Sequence, residues 1–553
     1  MPQVTYELQN STALPKFHIF YDTETTGANP RFDQVLQTAA ILTDENFNEL
    51  EDFDYRSRLA SHIVPSAGAL KVTHVDPYEI ARAPYGPYEY AHLIHETFRK
   101  WSSNGTTSFD GFNTLRFDEE ILRQMFWENI HDPYITTSKG NTRGDYLHFL
   151  RALYARNPDI IDFPENPATG KRSFKLEIVA PANGFNDHNA HDALGDVRAT
   201  IFIAQLIREL DFDLFKHMSA MGNANAVRDF VDSNVTFRML GGPMLNPGIL
   251  DVCLIASEAA NPKSKVAWNL AVDPIPYLDK TPEEILDAMR QSGTPFRSLK
   301  CNKTPGVFPL GWEFLNRVTT DEYQPADAET IDLRSDIIRE HDDFQRNVAE
   351  ALRLKVEGYD ENETLEEKIY SGFPSREDKN RMYSFQRESD WTRRVEIVRS
   401  FEKPELKQLG LRTIYVNAPE ALPEHIRTKY HEVISENRHG LKEDMPWNTV
   451  GSLMKEVHER LLDDPEDEEV LNIKAWALET YPQAADWRPA EDLGETPQEE
   501  VSEEAAAVAP AADAPSEDVS TTEVKEEVEE PVYVLPAAMK SSVAGIHFLD
   551  GLD

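Results

Sequence analysis

At 553 residues the chain is too long for a single hydrophobic core and should divide into roughly three or four units, with 40% hydrophobic and 10% aromatic content to fill them. A formal charge of -41 disfavours nonspecific adhesion to nucleic acid or to an anionic membrane, so any polyanionic substrate needs a local basic groove or bound metal. Cys253 and Cys301, the only cysteines, lie far apart in no ligand spacing, which argues against a disulfide framework or zinc site and fits a reducing cytoplasm.

In chain order, residues 1–16 form an arm without the basic-then-apolar order of a signal peptide, and no later run approaches the roughly 20 apolar residues that span a bilayer. A soluble protein is expected. The stretch Phe17-His18-Ile19-Phe20-Tyr21-Asp22-Thr23-Glu24 reads as a buried strand that ends in acids. Strand side chains alternate faces, so Asp22 and Glu24 point the same way, and two carboxylates side by side are stabilised by a divalent cation. Taken alone, a pair of this kind is more often a solvated acidic turn.

A second strand is expected at 37–42, a turn at 44–48, a helix at 91–101, a strand edge at 108–113 and helices at 118–127, 143–154 and 189–210. Tyr146, Leu147, Leu150 and Leu153 mark one helix face, and Ala193, Val197, Ile201 and Ala204 another. The alternation of strands and helices predicts an α/β unit at 17–212. Between 213 and 358 the elements shorten and glycine and proline break the chain, which suggests a small β-rich unit with inserted helices and a strand at 266–272. Helical patterns dominate 359–489, as at 448–462 and 468–480. Residues 490–553, with 17 acids against two lysines, form an acidic tail expected to be disordered. Ile546, Phe548 and Leu549 near its end, beside Asp550 and Asp553, are either a docking peptide or a sticky terminus.

Two further segments bear on the opening acids. Asp118 stands where a strand edge, Gly111-Phe112-Asn113, meets a helix start, and Asp196 follows His191 by five residues in Asn189-Ala190-His191-Asp192-Ala193-Leu194-Gly195-Asp196. Four acids in one unit can hold two Mg²⁺ or Mn²⁺ ions that activate a water and stabilise the leaving oxygen of a phosphodiester. A histidine near neutral pKa is a suitable base for that water.

The order Asp22-x-Glu24, Asp118 after Asn113-x-x-x-Phe117, and His191-x4-Asp196 resembles the DEDDh family of 3′-to-5′ exonucleases and, within it, the bacterial exonuclease I branch. Asn113-x-x-Arg116-Phe117-Asp118, Asp132-Pro133-Tyr134, Arg143-x-Asp145, Phe163-Pro164-Glu165-Asn166 and Ser173-Phe174-Lys175-Leu176-Glu177 extend the likeness, as do Asn302-Lys303-x-Pro305 and Tyr370-x-Gly372-Phe373. The resemblance implies that Asp22, Glu24, Asp118 and Asp196 form the metal site, that His191 is the general base, and that Glu24 also touches the terminal nucleotide. It implies substrate contacts from Lys175, where the family usually has arginine, and from Arg123 and Tyr134 along the DNA path. Glu119 replaces a frequent second aspartate. The implied fold is an RNase H-like α/β exonuclease domain, an SH3-like barrel and a helical domain closing a groove over single-stranded DNA. The implied activity is Mg²⁺-dependent release of 5′-mononucleotides from the 3′ end of single-stranded DNA in repair and recombination. A monomer is expected, with the acidic tip of the single-stranded-DNA-binding protein as partner. A DEDDh ribonuclease or proofreading nuclease, or an inactive DNA-binding scaffold, stays open at this point.

Overall fold

The computed structural model describes residues 14–73, 75–186, 193–259, 261–319, 324–357 and 364–489. The N-terminal part is built on a sheet of β1 (Phe17–Thr25), β2 (Val35–Asp44), β3 (Glu49–Arg56), β4 (Thr107–Gly111) and β5 (Thr142–Asp145), in the order β3-β2-β1-β4-β5. The central strand β1 runs antiparallel to β2 and parallel to β4, with Asp22 opposite Ala39 and Glu24 opposite Gln37. A register shift follows at Glu24/Thr25, so the ladder loosens where the acids stand.

Among the described residues, seven helices accompany this sheet: α1 (Ala67–Val72), α2 (Pro77–Arg82), α3 (Pro87–Trp101), α4 (Asp118–Glu128), α5 (Tyr146–Arg156), α6 (Leu176–Ala182) and α7 (Ala193–Leu210). Phe20 packs with Tyr146, Val197 and Ile201 on one face, and Ile19 and Tyr21 pack with Phe98 and Ile121 on the other. Covered on both sides, β1 needs the near-continuous apolar run its sequence carries. Each fully buried aromatic or aliphatic side chain adds about 1.5–3 kcal/mol of transfer free energy. Ala193, Val197, Ile201 and Ala204 are all buried along α7.

Two local features differ from expectation. Residues 143–145 belong to strand β5 and the helix starts only at Tyr146, because Asp145 caps it by accepting from the Leu147 amide at 3.1 Å. The strand β3 was not foreseen, since its sequence Glu-Leu-Glu-Asp-Phe-Asp-Tyr-Arg is an exposed acidic edge that buries only Phe53.

The middle part begins with α8 (Phe212–Ala220) and α9 (Ala224–Ser233) and continues as an antiparallel sheet. Its strands are β6 (Thr236–Gly241), β7 (Gly248–Ser257), β8 (Ser264–Asn269), β9 (Phe296–Lys300) and β10 (Val307–Phe308), in the order β10-β6-β7-β8-β9. The helices α10 (Pro282–Met289), α11 (Ala328–Glu340) and α12 (Asp342–Glu357) close one of its faces around Trp268, Phe296 and Phe344. The expected strand at 266–272 is β8, placed slightly earlier. Helix α8 starts one residue before the expected unit boundary and shares its core with α5 and α7 through Leu214, Phe215 and Met218.

The C-terminal part is helical: α13 (Arg376–Arg387), α14 (Trp391–Ser400), α15 (Pro404–Asn417), α16 (Glu424–Asn437), α17 (Val450–Asp463) and α18 (Glu468–Thr480). It shares cores with the N-terminal part. Tyr88, Trp127 and Ile130 pack among Phe385, Val395, Leu409 and Ile414, while Leu36, Ala67, Leu70 and Ile80 pack among Val450, Leu453, Val470 and Trp476. Glu456 of α17 accepts from Ser66 Oγ at 2.8 Å and from the Gly68 amide at 2.9 Å, at the start of α1. A buried carboxylate, Glu366, anchors Arg412 and Arg438. No helix among the described residues is long and apolar enough to cross a membrane. The N-terminal arm up to residue 13 and the acidic tail lie outside the described residues.

Candidate active site

The acids converge at the end of β1. Asp22 and Glu24 come from the strand and Asp196 from the first turn of α7, and one carboxylate oxygen of each lies within 4.8 Å of the others. Asp118 opens α4, where a helix N-terminus favours an anion. Its carboxylate accepts a 2.6 Å hydrogen bond from Thr23 Oγ1, between the two strand acids.

The turn that delivers Asp118 is held from two sides. Asn113 takes a left-handed φ of 62°, and its amide and that of Leu115 donate to the Asp145 carboxylate at 2.8 and 3.3 Å. A Cβ at Gly111 would collide with the Thr114 side chain and stand 2.9 Å from the Tyr21 carbonyl, so the close approach of the turn to β1 requires glycine there.

Without a cation the cluster is electrostatically strained. Burial, followed by the charges of Asp118, Glu24 and Asp196, pushes the Asp22 carboxyl well above its ordinary range. Burial, Asp196 and Asp118 push Glu24 up to about 8, with Arg56 opposing. Asp118 is pushed up to about 7, chiefly by burial and against the Thr23 hydrogen bond. An all-carboxylate set of this kind fits a hard divalent cation, which removes the repulsion, and does not fit a soft thiolate-seeking metal. His191 lies outside the described residues.

The remaining expected site residues divide. Arg123 and Tyr134 line a cavity of about 920 Å³ formed where the three parts of the chain meet. Arg123 is itself largely committed, with Nη2 2.6 Å from Glu119 and Nη1 3.7 Å from Glu120, and it stacks 5.6 Å over the Tyr134 ring. Lys175 precedes α6 with an exposed side chain, its Nζ 3.2 Å from Glu177, and does not line that cavity. Glu119 is wholly buried, bonded by Thr136 Oγ1 at 2.6 Å, Tyr21 Oη at 3.2 Å and Arg143 Nη1 at 3.1 Å. Burial raises its pKa, but Arg123 and Arg143 outweigh it and hold the carboxyl below its usual value. Its position is thus taken up by an internal ion cluster.

Sequence reasoning missed much of the cavity wall. Phe373, 75% exposed, lies 5.5 Å from the Tyr134 ring, and Tyr383 is also exposed. Arg99, Lys139, Lys263 and Lys379 add cations, against the acids Glu96 and Asp132. Phe373 stood in a motif the sequence offered, but only its exposure marks it as a stacking surface.

This geometry agrees with comparison to known proteins. The family model described as Exonuclease (RNase_T) matches residues 19–204. Exodeoxyribonuclease I of Haemophilus influenzae is 30% identical over 386 residues, covering 66% of this chain and 78% of that protein. The solved structure of Escherichia coli exonuclease I in complex with a dA16 oligonucleotide superposes with a TM-score of 0.72 at 23% identity, covering 85% of this chain and 99% of that one. A structure of SSB/exonuclease I in complex with an inhibitor gives a TM-score of 0.69 at 24% identity, covering 84% and 99%. With an exonuclease fold, a converging set of acids and a relative matched along most of its length, the chain belongs to the exodeoxyribonuclease I family and is a 3′-to-5′ exonuclease.

Proposed function

We propose that the protein removes nucleotides from the 3′ end of single-stranded DNA in repair and recombination, releasing 5′-mononucleotides by two-metal-ion hydrolysis with Mg²⁺. The observation that carries this reading is the convergence of Asp22, Glu24 and Asp196 within 4.8 Å, backed by Asp118. These four residues would hold the cations, which when bound supply activation of the attacking water and stabilisation of the leaving oxygen. Asp22, Glu24 and Asp196 are assigned as direct ligands and Asp118 as the residue that completes the set. His191 is assigned as the general base that takes the proton from the water. Glu24 also contacts the terminal nucleotide, and Lys175 a phosphate.

The strand would lie in the cavity of about 920 Å³, with Tyr134, Phe373 and Tyr383 as base-stacking surfaces and Arg99, Lys139 and Lys379 near phosphates. A local basic groove of this kind reconciles a polyanionic substrate with a formal charge of -41, because charges beyond about 8 Å are screened at physiological salt. We assign 17–212 as the exonuclease domain, 213–358 as an SH3-like barrel with inserted helices and 359–489 as the helical domain. The oligonucleotide and SSB complexes of the relatives support single-stranded DNA and the single-stranded-DNA-binding protein as partners; we assign the enzyme as a monomer.

The test is digestion of a 5′-labelled single-stranded DNA beside its duplex and RNA counterparts, with Mg²⁺ or EDTA. A ladder shortening from the 3′ end of single-stranded DNA alone, lost with EDTA and in His191→Ala, is expected. Equal cleavage of RNA or duplex would overturn the substrate assignment, and no Mg²⁺-dependent cleavage would overturn the metal mechanism.

A further inference from the structure

Lys303 of Asn302-Lys303-x-Pro305 and Tyr370 of Tyr370-x-Gly372-Phe373 have no role so far, and both end on one carboxylate. Glu120 lies in the first turn of α4, two residues after Asp118. Its Oε1 accepts from Lys303 Nζ at 2.9 Å, and its Oε2 from Tyr370 Oη at 2.6 Å and Arg31 Nη2 at 3.4 Å. These partners come from three separate places: Arg31 from the β1–β2 connection, Lys303 from beyond β9 in the middle part, and Tyr370 from the segment before α13. Lys303 and Tyr370 stand 183 and 250 residues along the chain from Glu120.

The contacts interlock. Lys303 Nζ also donates to the Leu115 carbonyl at 2.9 Å, within the turn that leads to Asp118. The Arg31 guanidinium stacks 5.0 Å over the Tyr370 ring. The Glu120 side chain is only 13% exposed, which shields its bonds to Lys303 and Arg31, while Tyr370, 45% exposed, closes the junction from the solvent side. The chain neighbours of both distant partners, Asn302 on one side and Ile369 and Gly372 on the other, line the cavity. The junction therefore sits immediately behind the groove wall, on the helix that carries one of the four acids.

We propose that Glu120 is a positioning residue for this exonuclease: through Lys303 and Tyr370 it fixes the two outer walls of the groove in register with α4, so that a strand held by the walls is presented to the acids in one alignment. The inference rests on the proposed reading of the cavity as the DNA groove. Loosening the junction lets the walls shift relative to α4, which weakens the hold on a strand long enough to touch them and leaves a substrate too short to reach them comparatively unaffected.

The experiment measures kcat/KM on a long single strand and on a trinucleotide, together with the number of nucleotides removed per encounter, for Tyr370→Phe, Lys303→Met, their combination and Glu120→Gln. Loss of one partly buried charge-assisted bond corresponds to about a tenfold change. Each single variant is expected to lower the long-to-short ratio of kcat/KM by about tenfold and to shorten the run. The double variant should fall well short of the product of the two single effects, because both act through Glu120. Unchanged run lengths and ratios would overturn the proposal, as would losses on both substrates that simply track a lowered thermal midpoint. A wild-type enzyme whose preference for long strands is absent altogether would instead remove the groove reading on which the proposal stands.

Discussion

Thr23 Oγ1 donates a 2.6 Å hydrogen bond to Asp118, tying the first helical residue of α4 to the strand that carries Asp22 and Glu24. The bond holds a carboxylate that burial would otherwise drive further towards its neutral form. Thr23→Val keeps the shape and removes the donor. It should lower kcat about tenfold and raise the Mg²⁺ concentration needed for half-activation, whereas Thr23→Ser should retain most of both. Steady-state kinetics across a Mg²⁺ titration decides; a Val variant with wild-type metal dependence would mean the bond is dispensable.

The repulsion within the cluster gives a second prediction. Asp196→Asn removes one of the mutually repelling charges, so the metal-free variant should melt at a higher temperature than metal-free wild type. It should lose most of the Mg²⁺-induced rise in midpoint, which for a site filled to a hundred times its dissociation constant is worth about 2.7 kcal/mol in the wild type. Activity should fall by about 10³-fold. Thermal melts with EDTA and with Mg²⁺ check the stability half of this claim independently of turnover.

Stability should also respond to His217. Its Nε2 lies 2.6 Å from the Val307 carbonyl, joining α8 to β10, and burial pushes its pKa down to about 4 despite that bond. A group whose folded pKa is depressed stabilises the fold fully above its unfolded value of about 6.5 and loses that contribution as pH falls. The contribution lost between pH 7 and pH 4 is about 3 kcal/mol. Denaturant unfolding should show this slope in wild type, and His217→Gln should flatten it.

Glu366 is the counter-ion shared by two buried cations, Arg438 and Arg412, the second of which also lies 3.4 Å from Glu128. Replacing it with alanine leaves Arg412 and Arg438 buried without it, a change that costs about 3–5 kcal/mol when one partner of a buried pair is removed. Chemical denaturation of the purified variant measures this; a loss below about 1 kcal/mol would mean water enters and replaces the carboxylate.

At the groove, Phe373→Ala should weaken single-stranded DNA binding by about 1–3 kcal/mol, irrespective of base sequence, since every base has a stacking face. Lys379→Ala should instead reduce the salt dependence of binding. Fluorescence anisotropy in EDTA, which prevents digestion, separates the two signatures.

The parts of the molecule legible in its sequence are those in which local pattern and chemistry coincide. The β1 stretch announces itself because a strand covered on both faces must be apolar until its acids begin, and α7 because Ala193, Val197, Ile201 and Ala204 repeat at helical spacing. The edge strand β3 carries no such signal, and β5 is four residues long and runs directly into a helix whose periodicity masks it. Phe373 and Tyr383 were invisible as groove residues, since exposure is a property of the fold and not of residue type. The ion cluster around Glu119 and the junction at Glu120 are likewise assembled by long-range contacts. A motif can point to such contacts but cannot pair them.

The shared cores have a consequence for how the chain is made. Ser66 and Glu456, which meet at the start of α1, are 390 residues apart, and the apolar side chains of α1 and α2 are covered by helices near the far end of the described chain. At ordinary elongation rates of about 5–20 residues per second, the nascent N-terminal part waits roughly 20–80 s at the ribosome with Leu70 and Ile80 uncovered. A chaperone that shields this surface during synthesis would therefore set the yield of native enzyme, and slowing translation upstream of α17 should lower that yield while the activity of each folded molecule stays the same.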